Sequence, residues 1–100
     1  MSNSIADFPW NYAHVAASAQ VSAGSCVLHT IVVNGLNTAG DCTVYDNPAA
    51  AGNVVAVIHL DPATSISVQP ITLTYDVGCL TGLYLDFDGT LVADLTVSFR

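Results

Sequence analysis

The residues with the most chemistry to offer lie near the end of the chain, in the run LYLDFDGTLVAD at 83–94. Asp86 and Asp88 stand two apart and are followed at once by Gly89 and Thr90. Side chains two apart in a strand share a face, so both carboxylates would address one reacting group or one cation. Asp94 follows after a short turn, and three carboxylates around a turn suit calcium, which takes hard oxygen ligands. The plainer reading is a set of solvated aspartates flanking an Asp-Gly reversal between two strands.

Histidine and cysteine form a second set. His14, His29 and His59 show neither HxH nor HxxxH spacing. His29 and His59 each sit within an apolar run, where they would face each other across a sheet. Cys26 or Cys42 nearby would then complete a zinc-like group. A histidine satisfied in a core or an interface is the plainer reading here too. Cys26, Cys42 and Cys79 are odd in number and lack CxxC spacing, which makes them buried free thiols, with a Cys26–Cys42 bridge as the alternative under oxidation. There is no GxSxG elbow and no glycine-rich phosphate loop, so nucleophilic and phosphate chemistry find no support. Trp10, Tyr12, Tyr45, Tyr75 and Tyr84 form no cluster along the chain, so they read as core and interface residues rather than a carbohydrate platform. We therefore expect no catalytic residue, no cofactor and no metal.

Taken alone, 83–94 resembles motif I of the haloacid-dehalogenase phosphatases, an apolar strand followed by Asp-x-Asp-Gly-Thr. That resemblance implies a nucleophile at Asp86 and an acid/base at Asp88, with magnesium neutralising the phosphate. The setting argues against it. The family needs a parallel α/β sheet and further catalytic parts downstream, whereas 12 residues follow Asp88 and none is Lys. The expectation is a hairpin: strand 83–87, an Asp-Gly turn, strand 91–99.

The elements that would position these residues are strands. Ile71, Leu73, Tyr75 and Val77 alternate with Thr72, Thr74 and Asp76, and the same period recurs at 83–87 and 91–99. Gly78, Gly82 and Gly89-Thr90 interrupt these runs briefly enough to fold neighbouring strands back antiparallel. Upstream, 12–21 alternates weakly as a first strand, and 26–33 (CVLHTIVV) is apolar on both faces, as in a sheet covered twice. Asn34 to Gly40 reads as a turn, 41–46 as a short strand, 54–60 as a buried strand, and 61–64 as a turn leading through 65–68 to Pro70. No helical period persists. Seven to eight strands at this spacing predict an all-β fold, an antiparallel β-sandwich that is jelly-roll-like. We expect an N-terminal arm at 1–11 and a single sandwich domain at 12–100.

Composition narrows the partners. Eight acidic residues, all Asp, face one basic residue, Arg100, for a net charge of -7. One guanidinium cannot line a phosphate-binding groove or an anionic membrane surface, so neither nucleic acid nor membrane is expected as a partner. No apolar run approaches the roughly 18 residues of a membrane span. Residues 1–20 have no basic segment leading into an apolar one, so we expect synthesis in a reducing cytoplasm without a secretory signal. The chain is 52% hydrophobic and only 9% charged, which predicts outer faces covered by copies of itself or by a partner. Phe8, Trp10 and Tyr12 are the candidate partner-binding residues, since aromatics flanking a proline are costly to leave in water.

Six pieces of the chain, 28–34 (LHTIVVN), 43–47 (TVYDN), 54–60 (VVAVIHL), 73–77 (LTYDV), 81–83 (TGL) and 94–100 (DLTVSFR), are similar to small β-sandwich virion proteins of tailed bacteriophages. The resemblance implies a head-decoration or capsid cement protein on the outer capsid surface. Its implied partners are itself, as a homotrimer, and the major capsid protein. The alternative within the virion is a tail or receptor- and glycan-binding β module. No catalytic residues are carried over.

Overall fold

The computed structural model describes residues 10–62 and 70–100. Phe8 and the lead-in at 65–68 lie outside the described residues. Eight strands are present: β1 (Asn11–Val15), β2 (Ala19–Ser22), β3 (Cys26–Thr38), β4 (Gly40–Asp46), β5 (Asn53–Leu60), β6 (Ile71–Cys79), β7 (Leu83–Phe87) and β8 (Val92–Phe99). They form two four-stranded sheets, β1-β8-β3-β6 and β2-β7-β4-β5, with every pairing antiparallel. This alternation of strands between two sheets is the order of an eight-stranded jelly roll, as the expected fold class requires.

The two inner faces supply the core. Leu28, Ile31, Val33, Leu95 and Val97 of the first sheet lie against Cys42, Val44, Leu83 and Leu85 of the second, all fully buried. Burying a side chain of this size stabilises by about 1.5–3 kcal/mol. That magnitude settles where the local turn signals fail.

The first failure is at Asn34 to Gly40. This is not a turn; β3 runs through it to Thr38 and stays paired with β8. A bulge between Val33 and Gly35 resets the alternation so that Leu36 points inward and is buried. The outward Asn34 amide donates to Asp94 Oδ1 at 3.0 Å and to Thr96 Oγ1 at 2.9 Å.

The second failure concerns the last three strands. They are not successive hairpins: β6 and β8 belong to the first sheet and β7 to the second. Asp88 makes a corner where a hairpin was expected. Its carboxylate accepts from the Thr90 and Leu91 amides at 3.0 and 2.9 Å, and from the Asp41 amide at 2.8 Å. Similarly, 12–21 is two strands, with β1 in one sheet and β2 in the other. The crossing is held by Ser18, whose Oγ accepts from the Phe87 amide at 2.8 Å.

The third failure is β5. It is an edge strand and not a buried one, and it leaves Val54 and Val57 exposed.

Candidate functional site

β1 is an edge strand of the first sheet, and its alternation turns Tyr12 and His14 outward, in line with Trp10 just before it. Tyr12 is 77% exposed. Trp10 does not stand free: it lies flat on His29, with ring centroids 4.0 Å apart and planes 7° from parallel. The Arg100 guanidinium sits 5.8 Å from the Trp10 ring centroid, within cation–π reach.

His29 reaches this position because it is an irregular residue of β3. Against β8, residues 28 to 30 of β3 oppose only Phe99 and Ser98, so His29 is extra. Against β6, the single His29 faces both Tyr75 and Asp76. Asp76 adopts φ 51°, the left-handed region that non-glycine residues rarely enter, and its Oδ1 is hydrogen-bonded to His29 Nδ1. A double bulge, a strained aspartate and a stacked indole thus converge where the described chain enters the sandwich.

Beyond this cluster the outer face of the first sheet is built from small hydroxyls. One row across it reads Tyr12, Ser98, Thr30, Thr74; the next reads His14, Thr96, Val32, Thr72. Its carboxylates are held by partners. Asp94 Oδ2 is 2.9 Å from His14 Nε2, and this bond, followed by that from Asn34, holds the carboxyl below its usual range. The face therefore offers hydroxyl and methyl groups with charge confined to its margins.

The second sheet presents a different face. Tyr45 and Tyr84 are direct cross-strand partners there, flanked by Gln20 on one side and Val54 on the other. Along the chain these tyrosines stand 39 residues apart, and it is the β4–β7 register that joins them. The signal was available, since each stands beside a pair of inward residues: Cys42 and Val44 for Tyr45, Leu83 and Leu85 for Tyr84.

The aspartates of 83–94 do not share a site. Asp86 faces outward from the second sheet, where Ser18 Oγ donates to it at 3.3 Å. Asp88 is turned into the corner, where its backbone donors hold its pKa down to about 2. Asp94 lies on the opposite sheet. His29 and His59 do not face each other either. They belong to different sheets, and His59 Nδ1 lies 2.9 Å from Asp41 Oδ1 on the second. Among the described residues no three potential metal-ligating side chains converge. Cys26 and Cys42 also lie in different sheets, the register partner of Cys26 being Cys79.

Comparison with protein-family models, with curated proteins and with solved structures finds no match to this chain.

Proposed function

We propose that this chain is a structural virion protein, a decoration protein that binds the outer surface of a capsid and stabilises it as a homotrimer. The observation that carries the reading is the outer face of the first sheet. It is a broad, nearly uncharged field of Thr and Ser, rimmed by Tyr12 and by Trp10 on its His29 support. Protein interfaces are depleted in charge at their centres, and aromatic side chains are enriched among the contacts that carry the binding energy. A chain carrying -7 net charge meets its own copies best where the carboxylates are fewest or already bonded. The jelly roll itself is a frequent capsid architecture, which agrees with the resemblance of six segments to phage virion proteins. The major capsid protein is the partner this reading implies, with Trp10 and Tyr12 as anchors.

The test is the solution mass, followed by sedimentation with capsids. A species near three times 10.4 kDa that co-sediments with capsids, and loses that property in Tyr12→Ala, supports the reading. A monomer that ignores capsids overturns it.

The Tyr45–Tyr84 pair favours a second reading, a glycan-binding module at a virion tip. Sugars stack on aromatic rings, and this half-buried pair is the aromatic pair of the second sheet's outer face, with Gln20 next in the row. Saccharide affinity lost in Tyr84→Ala would select this reading over the first.

A further inference from the structure

The three thiols are not equivalent. Cys26, the first residue of β3, is directly opposite Cys79, the last residue of β6. Register partners in an antiparallel ladder have Cα atoms about 4.5–5.5 Å apart, inside the window that a disulfide spans. Both side chains are buried in the sandwich, and the Cys26 thiol is near enough to push the Cys79 thiol up. Cys42 sits in the other sheet between Phe87 and Ile58. No strand pairing brings it opposite Cys26 or Cys79, which face each other within one sheet.

We propose that Cys26 and Cys79 form a cross-strand disulfide when the protein meets an oxidising thiol–disulfide pool, and that Cys42 stays reduced. The oxidant is a small-molecule disulfide such as oxidised glutathione. Cys26 is the more accessible of the two, at 9% exposed against 1% for Cys79, and reacts first. Its thiolate attacks one sulfur of the oxidant, breaking that S–S bond and expelling one thiolate. The Cys79 thiolate then attacks the Cys26 sulfur of the mixed disulfide and expels the second. One S–S bond is lost and one gained, and the two thiol protons end on the two released small thiols. In the reduced chain burial, followed by the neighbouring Cys26, pushes the Cys79 thiol up to about 11; the burial persists once Cys26 carries the mixed disulfide, so closure is slow at neutral pH and faster in alkali. The bond ties down β6, which among the described residues is an edge strand paired with β3 alone, three residues from the Asp76 that holds His29. This site is independent of the capsid reading.

The experiment uses the full chain equilibrated in graded mixtures of oxidised and reduced glutathione, alkylated in denaturant, and cleaved before aspartate. Such cleavage puts each cysteine on its own fragment, 7–40, 41–45 and 76–85. The expected product links 7–40 to 76–85, carries alkylated Cys42, and melts at a higher temperature than the reduced chain. Cys79→Ala is expected to stop at a glutathione adduct on Cys26, with no rise in melting temperature. A chain that remains fully alkylatable in the most oxidising mixture overturns the proposal. So does a link to 41–45, or a stable adduct on Cys26 in the unaltered chain.

Discussion

Asp76 holds His29 from a backbone conformation that aspartate rarely adopts, at the one point where β3 and β6 fall out of register. Position 76 therefore inverts the usual preference of strands. Elsewhere in a strand, glycine is the weaker choice, because it adds freedom to the unfolded chain and offers nothing to pack. At φ 51° a β-carbon crowds the backbone by about 1–2 kcal/mol. Asp76→Gly is expected to melt higher than Asp76→Ala, although both lose the bond to His29. The reverse order in thermal melts would show that the left-handed geometry is not held in solution.

Trp10 is the only tryptophan, so its emission reports one site. Stacked on His29 it is shielded on that side from water. His29→Ala is expected to shift the emission maximum to the red while far-ultraviolet circular dichroism stays unchanged. Loss of a stacked pair costs about 0.5–1.5 kcal/mol, which a denaturant titration would resolve. An unchanged emission maximum would mean that Trp10 does not rest on His29.

Asp88 predicts an acid limb in the stability profile. Its folded pKa, held at about 2 by the Asp41, Thr90 and Leu91 amides, lies below the roughly 3.9 of an unfolded aspartate. A depressed carboxyl contributes its full stability above the unfolded value and loses it as pH falls through the folded one. Melting temperature should therefore fall between about pH 4 and pH 2. Asp46 and Asp94, also held below their usual range, add to the same side. Asp88→Asn should lower the melting temperature at pH 7 and flatten this acid limb. An unchanged profile would show that the corner does not depend on the carboxylate.

Gly82 is constrained by close approach. A β-carbon there would meet the Pro48 nitrogen at 2.6 Å and the Asn47 carbonyl carbon at 2.8 Å, both backbone atoms that cannot swing aside. Gly82→Ala should cost about 1–3 kcal/mol in chemical denaturation. At Gly78 a β-carbon meets nothing within 4 Å, so Gly78→Ala serves as the near-neutral control.

The strands and their inward residues were legible because alternation reports which side chains share a face, as Leu83 and Leu85 or Leu95 and Val97 do. Alternation does not report which sheet that face belongs to. The Asp-Gly at 88–89 has the chemistry of a hairpin. What makes it a corner is an acceptor bond to the amide of Asp41, 47 residues away. Asn34-Gly35 has the same local chemistry and became a bulge because Leu36 had a core to enter. The candidate site was hidden for a related reason. The Trp10–His29 stack and the Tyr45–Tyr84 pair exist only through register, and the candidate residue Phe8 lies outside the described chain.

The order of strands also bears on how such a chain comes into being. Among the described residues only β4 and β5 are both consecutive and paired; every other ladder joins distant segments, with Asn11 meeting Phe99 at the extreme. Pairings of that kind must close long loops before any contact rewards them, which places folding in the millisecond-to-second range or slower. β8 is the last of the eight described strands in chain order, yet it lies inside its sheet, between β1 and β3. Until Phe99 has left the ribosome, β1 has no strand to pair with. The sandwich therefore closes after translation of β8, not progressively during it.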